Sequence, residues 1–445
     1  MGLRDHLWTN LQKFTQTEWQ QCYDEVLDVE KYKRLCEELT ESKENRLNET
    51  EKIIAEMNMC PMRTGYKYVE PSDYEGIINE SNRVFPAFNK IPDNKVLRDK
   101  IKGAWAGRIF GCLLGKPVEC LHRDKLWPML KVSGNFPLRK YIERKDIPDE
   151  IMEKYDMKSF WGIECMRDSV TDISPADDDT NYTVFSLKLI ETYGYNFTAE
   201  NVLCGWLENI PFFWTATAEG IAYRNAVLRM VPPETATHNN PFREWMGAMI
   251  RGDFFGYINP GAPEKAAEYA YRDASASHTK NGIYGEMWVA AMLSAAAVCD
   301  DMPGIIETGL AVVPQKSRLA EDVRLVMDWY KIGVGVDDVI ENIHERYDLS
   351  KRLWWCYTLS NAMVVTMSLL YGSGDYGKSI CLAVQSAFDT DSSGATVGSV
   401  MGMFLGSGGI NKEWAFTDKL RTSIDGYNVV TFDELTEKTM KFIKV

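Results

Sequence analysis

Two stretches of this sequence carry a glycine at every fourth position, and this pattern constrains the fold more than any other feature. The stripes consist of Gly103, Gly107, Gly111 and Gly115 in the first stretch and Gly394, Gly398, Gly402 and Gly406 in the second. Glycine inside a helix is about 1 kcal/mol less favourable than alanine, so each helix needs a compensating contact. Close approach of another helix supplies one, and Lys102 and Arg108 exclude the membrane-spanning form of this pattern. The stripes therefore predict a tightly packed helical scaffold.

The remainder of the main domain predicts an all-α fold with a single large core. Strand signals are scarce, and helical patterns bounded by Gly and Pro recur from Val96 onwards. The predicted helices span 97–115, 180–193, 217–231, 263–274, 284–300, 318–333, 336–347, 354–371, 376–388 and 393–406. A chain of 445 residues with 45% apolar content is long enough to bury such a core.

Two segments differ from the helical body that spans residues 96–445. Residues 1–95 are rich in Glu, Lys, Gln and Asn around amphipathic patterns, which predicts a helical N-terminal extension. This extension could be a packed addition, a lid or an oligomer contact. Residues 121–173 have mixed charge, several prolines and weak periodicity. We interpret them as a long insertion that carries specificity.

Composition excludes several classes of partner. The net charge of −14 argues against nucleic-acid binding and against an anionic membrane surface. The ten cysteines include no CxxC pair, which is typical of reduced thiols in a cytoplasm. No apolar run reaches the length of about 18 residues that spans a bilayer. The sequence thus predicts a soluble cytoplasmic protein with no nucleic-acid or membrane partner.

Two acidic clusters, each before a predicted helix, predict a metal site. The first is Asp177-Asp178-Asp179-Thr180, and the second is Asp389-Thr390-Asp391-Ser392. A helix N-cap needs one Asp, so three in succession favour a metal, although the second cluster alone also resembles a simple turn. Gathered carboxylates repel one another unless a cation lies between them. Oxygen donors favour Mg²⁺, Mn²⁺ or Ca²⁺, and the two clusters together would suffice for two ions.

The order of these motifs resembles the ADP-ribosylglycohydrolase family, in particular its bacterial members of the dinitrogenase-reductase-activating-glycohydrolase type. The first glycine stripe runs into Gly-Lys-Pro-Val-Glu119, Asp-Asp-Thr follows at 178–180, and Asp-x-Asp-Ser precedes the second stripe. The segments Asn240–Gly247 and Tyr271–Glu286 also resemble bacterial members. The resemblance covers residues 97–410 and leaves the extension outside it.

The resemblance implies an all-α domain with a binuclear Mg²⁺ centre at helix termini, where Mn²⁺ or Ca²⁺ are the alternative ions. Such a domain cleaves the C1″ glycosidic bond of ADP-ribose. Carried over by position, one ion is held by Asp177, Asp178, Asp179 and Asp391, and the other by Asp389, Asp391 and Ser392. Glu119 matches the glutamate that follows the glycine-striped helix and approaches the substrate.

Two positions depart from the family pattern. Asp177 stands where the family commonly has Thr or Ser, and Cys112 stands where it usually has Asp. The extra carboxylate at 177 makes the first ion site more anionic, which would alter its metal preference.

Three further residues are candidate substrate contacts. His278 and Asn281 lie on a predicted loop, and Tyr284 opens the following helix, where it could stack on a base. A structural hydrogen bond for His278 and a core position for Tyr284 are the alternatives.

The predicted catalytic residues are Glu119, Asp178 and Asp391. Glu119 or an Asp of the first cluster would transfer the proton, and the carboxylates would stabilise an oxocarbenium-like transition state.

The substrate stays open between ADP-ribose attached to a protein side chain or small molecule and a small ribosyl N-glycoside. A catalytically silent metal-binding homologue is a further alternative. A terpene-cyclase-type enzyme is disfavoured because no Glu follows Asp391 within its helix. The sequence does not define the oligomeric state.

Overall fold

The computed structural model describes residues 7–155, 157, 162–349 and 354–444. These residues form 22 α-helices and one small antiparallel sheet. The N-terminal part contains α1 (Thr15–Asp24), α2 (Lys33–Glu41), α3 (Leu47–Asn58) and α4 (Tyr74–Glu80). Next come α5 (Asn94–Gly115), α6 (Arg123–Val132), α7 (Asp149–Lys154), α8 (Gly162–Cys165), α9 (Asp178–Tyr193), α10 (Ala199–Asn209), α11 (Thr217–Val227), α12 (Glu234–Thr237) and α13 (Asp253–Tyr257).

The second half of the chain continues the same pattern. It contains α14 (Pro263–Ala274), α15 (Lys280–Ala296), α16 (Met302–Ala311), α17 (Arg318–Lys331), α18 (Val336–Arg346), α19 (Thr358–Tyr371), α20 (Tyr376–Gln385) and α21 (Thr390–Leu405). Strands β1 (Lys419–Arg421) and β2 (Val429–Thr431) then pair antiparallel before α22 (Phe432–Met440). The all-α prediction is confirmed, and no described helix is both long and apolar enough to cross a bilayer.

Helices α5 and α21 lie against each other along their glycine stripes. A Cβ atom placed on Gly107 would lie 2.1 Å from the carbonyl oxygen of Gly398, and one on Gly111 would lie 2.0 Å from that of Gly394. Backbone therefore contacts backbone, as the stripes predict. Gly406 differs from the other glycines because it is the C-cap of α21, with φ +76°.

Helices α15 and α19 form the centre of the core. Almost every residue of both helices is buried, from Asn281 to Ala296 and from Thr358 to Leu370. A helix that is apolar on all sides is stable only when other helices surround it. These two helices therefore anchor the body on which α5, α9 and α21 are arranged.

The N-terminal extension has a small hydrophobic cluster of its own. Trp19, Cys22, Leu39 and Ile54 belong to this cluster, which is separate from the main core. Beyond it the chain runs along the main domain, where the backbone N–H of Val69 donates to Lys316 O and that of Arg83 donates to Ala311 O. The extension is thus packed onto the domain, while a boundary at residue 95 stays a prediction.

Buried ion pairs dock the extension onto the main domain. Arg243 pairs with Glu18 at 2.9 Å and with Glu25 at 2.7 Å. Arg318 pairs with Glu70 and with Glu244, each at 2.8 Å. All of these groups are buried, so removing one partner would leave the other charge buried and unpaired.

Residues 121–173 contribute to the main core. Leu126, Met129 and Tyr141 are buried in it. The indole Nε1 of Trp127 donates to Gln385 O, at the end of α20. The segment is therefore packed against α20, the helix that precedes the second acidic cluster, and its role in specificity stays a prediction.

Candidate metal centre

The glycine-mediated contact places the end of α5 beside the start of α21. A Cβ atom on Gly115 would lie 2.3 Å from Thr390 O, and the Thr390 hydroxyl donates to Gly115 O at 3.0 Å. A short 3₁₀ turn, Lys116–Val118, follows α5 and leads to Glu119. Glu119 is thereby held next to the second acidic cluster, although the two lie far apart in sequence.

The first acidic cluster forms the start of α9. Asp177 is the N-cap, and its Oδ1 accepts the backbone N–H of Asp179 at 3.0 Å. Arg108 of α5, which is fully buried, donates to Asp179 O at 2.7 Å and also pairs with Asp253 at 3.0 Å. Arg108 thus anchors the start of α9 to the glycine-striped helix.

The second acidic cluster forms the start of α21. The backbone N–H of Asp389 donates to Asn361 Oδ1 at 3.1 Å, which fixes the N-cap. Asp391 Oδ1 accepts the N–H of Ser392 at 3.1 Å. The Ser392 hydroxyl donates to Asp179 Oδ2 at 3.2 Å. This bond joins the two clusters directly, so they meet in space.

Two groups of side chains in the described part of the chain could each hold a metal ion. One consists of Cys112, Asp177 and Asp179, and the other of Glu119, Asp389 and Asp391; within each group the ligand atoms lie within 4.8 Å of one another. Oxygen-rich sets of this kind suit a hard divalent cation. The residues therefore fit the metal that the sequence predicts, with Cys112 as an additional sulfur donor. Asp178, which was predicted as a ligand, is partly exposed and belongs to neither group.

The carboxyl groups of the site strongly perturb one another. Burial, together with the charge of Asp177, raises the pKa of Asp178 well above its usual range. Burial and Asp391 raise the pKa of Asp179 and Asp389 in the same way. The pKa of Glu119 is raised to about 7, first by burial and then by Asp391. These shifts reflect first the burial of the carboxyl groups and then their mutual repulsion, and a bound cation would relieve the repulsion.

Lys116 supplies positive charge at the centre of this site. Its Nζ lies 2.7 Å from Asp177 Oδ2, 2.8 Å from Glu119 Oε2 and 3.0 Å from Asp391 Oδ2. Although burial of Asp177 opposes the effect, the Lys116 ammonium lowers the pKa of that carboxyl. Lys116, Arg108 and Asn361 were not predicted from the sequence as residues of the site.

Two of the three predicted substrate contacts, Asn281 and Tyr284, bond to residues of the N-terminal extension. The buried His278 ring forms a hydrogen bond between its Nδ1 and Ser277 Oγ at 2.8 Å. Asn281 Nδ2 donates to Glu244 at 2.8 Å and to Glu70 at 2.9 Å. The Tyr284 hydroxyl donates to the backbone carbonyl of Pro71. A substrate role for these three residues stays a prediction.

Comparisons with known proteins address the family. The family model described as ADP-ribosylglycohydrolase matches residues 93–440. A solved structure described as an ADP-ribosylglycohydrolase-related protein complex is similar to this chain at 16% sequence identity and a TM-score of 0.42, and the similarity covers 78% of this chain and 98% of that one. No curated protein matches the sequence significantly.

The family match extends from the residue before α5 to the end of α22. It includes both glycine stripes, both acidic clusters and Glu119, which the fold brings together. Membership supports a glycosyl hydrolase that acts on ADP-ribose-like substrates, and the acidic groups are suited to the divalent metals that the family generally uses. With the match covering well over half of its length, this chain belongs to the ADP-ribosylglycohydrolase family.

Proposed function

We propose that this protein hydrolyses the glycosidic bond at C1″ of ADP-ribose attached to a protein side chain or a small molecule, in a reaction that requires Mg²⁺. The observation that carries the proposal is the direct junction of two acidic helix starts through the Ser392–Asp179 hydrogen bond, with Glu119 beside them. Glycoside hydrolysis needs paired carboxyl groups that transfer a proton and stabilise developing positive charge.

Exposure separates the roles of the acidic residues. Asp177, Asp179, Asp389 and Asp391 are buried, whereas Glu119 and Asp178 remain partly open to solvent. We assign the buried carboxylates to metal binding, with Asp177 and Asp179 in one ligand group and Asp389 and Asp391 in the other. When bound, the divalent metal would supply Lewis acidity and orient the ribose hydroxyls.

Glu119 is the favoured proton-transfer residue. It reaches solvent and adjoins the Asp389–Asp391 pair, so it can exchange a proton with water beside the ligand group. Burial, followed by the charge of Asp391, raises its pKa, which favours the protonated form that a general acid needs. Asp178 is the alternative, because it also reaches solvent and has a raised pKa.

The two departures from the family pattern compensate one another. Cys112 and Asp177 belong to the same candidate ligand group. The carboxylate absent at position 112 is therefore balanced by the additional carboxylate at position 177. This supports a working metal site, with the thiol of Cys112 as a reason to test Mn²⁺ beside Mg²⁺.

The test is a hydrolysis assay with a defined substrate panel. Purified protein, either loaded with Mg²⁺ or treated with EDTA, is incubated with ADP-ribosyl-arginine, an ADP-ribosyl-serine peptide and ribosyl nucleosides. Products are identified by mass spectrometry. Asp391→Asn and Glu119→Gln should lose most activity, whereas Asp337→Asn, an exposed residue at the start of α18, should keep it.

The products distinguish the candidate functions. Metal-dependent release of ADP-ribose supports the proposal and identifies the linkage. Release of a free nucleobase would indicate that the substrates are small ribosyl N-glycosides. A folded, metal-loaded protein that turns over none of these substrates would refute the proposed reaction.

A further inference from the structure

The N-terminal extension shares a buried glutamate with the main domain. Glu244, which is fully buried, accepts a hydrogen bond from Gln21 Nε2 of α1 at 2.6 Å. It also pairs with Arg318, which in turn pairs with Glu70 of the extension, each at 2.8 Å. Arg318 donates as well to the Tyr357 hydroxyl at 3.0 Å. The extension therefore reaches Glu244 by two routes, one direct and one through Arg318.

The backbone around Glu244 pairs with the segment that precedes α19. The N–H of Thr358 donates to Glu244 O at 3.2 Å, and the N–H of Met246 donates to Cys356 O at 2.9 Å. These two bonds run in opposite directions between the same two stretches of backbone. The position of the segment before α19 is therefore fixed relative to Glu244.

This segment in turn holds the start of α21. Asn361 Nδ2 donates to the carbonyl oxygens of Trp355 and Tyr357, each at 2.9 Å. The Oδ1 of the same side chain accepts the backbone N–H of Asp389 at 3.1 Å. The Cys356 thiol is also hydrogen-bonded to the Asp389 carboxyl group. The segment before α19 thus contacts Asp389 both directly and through Asn361.

The docking contacts of the extension favour a fixed position over a movable one. Movement of the extension as a lid would separate Glu18 from Arg243, which pair at 2.9 Å. It would also break the Glu70–Arg318 pair. Both pairs are buried, and a buried charge without its partner is strongly unfavourable. The extension therefore acts from its docked position.

We propose that the N-terminal extension, which lies almost entirely outside the family match, positions the metal ligand Asp389. Gln21 and Glu70 are positioning residues that act through Glu244 and Arg318 on the segment before α19. Residues behind a metal ligand orient it and thereby tune metal affinity. This inference rests on the proposed function in one respect, the assignment of Asp389 as a metal ligand.

Two buried glutamines of the extension provide the test and its control. Gln21→Met removes the amide that donates to Glu244, while Arg318 keeps that carboxylate paired. Gln12→Met is the matched control, because Gln12 is also buried and the hydrogen bonds that the structure describes for its side chain stay within the extension. Calorimetric titration measures the Mn²⁺ affinity of each variant, and mass spectrometry follows hydrogen exchange of the Asp389 amide.

Gln21→Met should weaken Mn²⁺ binding about 2- to 30-fold, the range that coupling through such networks spans, and should speed exchange of the Asp389 amide. Gln12→Met should keep the wild-type Mn²⁺ affinity, even where it lowers the urea midpoint as much as Gln21→Met does. In an Asn361→Ala background, Gln21→Met should cause a smaller further loss of affinity, because one of its two contacts with Asp389 is absent.

Two results would overturn the inference. One is equal Mn²⁺ affinity in Gln21→Met and Gln12→Met, and the other is strict additivity of the Gln21→Met and Asn361→Ala losses. If Gln21→Met does not fold, Glu70→Gln provides the same comparison through Arg318. Weaker Mn²⁺ binding in Gln21→Met, with no hydrolysis of any ADP-ribosyl substrate by the wild type, would support the inference and refute the proposed reaction. A wild type that binds no Mn²⁺ would refute both.

Discussion

The glycine contact between α5 and α21 predicts that a single methyl group will damage both the fold and the site. In Gly107→Ala, the new Cβ would lie 2.1 Å from Gly398 O, whereas ordinary contacts begin at 3.4 Å. The helices would have to separate there by the difference, about 1.3 Å. Overpacking of this kind costs up to about 3 kcal/mol, and no rotamer change relieves a backbone contact. Alanine regains about 1 kcal/mol of helix propensity, so we expect a net loss of about 2 kcal/mol.

Urea unfolding monitored by circular dichroism measures this loss. Gly408→Ala is the control, because a Cβ at that position has no atom within 4 Å. Its unfolding midpoint should stay close to that of the wild type. Separation of the helices should also weaken Mn²⁺ binding, since the same contact holds Glu119 beside Asp391. A Gly107→Ala protein as stable as the control would show that the helices have room for a methyl group, and the reasoning would be wrong.

Three further predictions concern buried polar contacts. Arg243 lowers the pKa of Glu25 to about 2, although burial of the carboxyl group opposes this shift. The ionised Glu25 therefore adds to the free energy of unfolding above about pH 4.5, and this contribution should be lost as the pH falls towards 2. Hydrogen exchange of the backbone amides in α1 would detect the loss. Asn361→Ala should lower the free energy of unfolding by about 1–3 kcal/mol and weaken metal binding, because it removes the acceptor for the Asp389 N–H. Calorimetric titration with Mn²⁺ measures the change in metal affinity. Arg318→Met leaves its two glutamate partners buried without a cation and should cost about 3–5 kcal/mol in urea unfolding.

The helices of the main domain were largely predictable because their boundaries are local. The prediction of 263–274 coincides with α14, and those of 318–333 and 376–388 differ from α17 and α20 only at the ends. Helices α6, α10 and α16 were missed; in α16, Pro303, Gly304 and Gly309 obscure the periodicity. The sheet was also missed, because each strand has only three residues.

The acidic clusters were predictable for a different reason. Several Asp residues before a helix exceed what capping requires, so sequence alone indicates a site at Asp177–Asp179. The side chains that hold this site together gave no such signal. Arg108 and Asn361 reach it from α5 and α19 through contacts between residues distant in sequence. A single Arg or Asn within a helical pattern is too common to indicate that role.

Lys116 shows how the scaffold and the chemistry depend on each other. Helices α9 and α21 direct their N-termini at the site, and the partial positive charge there favours the carboxylates of Asp177 and Asp391. Helix α5 instead ends at the site, so its carbonyl groups disfavour Glu119 and favour a cation. Lys116 is the first residue after α5, where a positive side chain is stabilised both by that helix end and by the three carboxylates. The antiparallel glycine contact that aligns α5 with α21 therefore also determines where the site can accommodate a cation supplied by the chain itself.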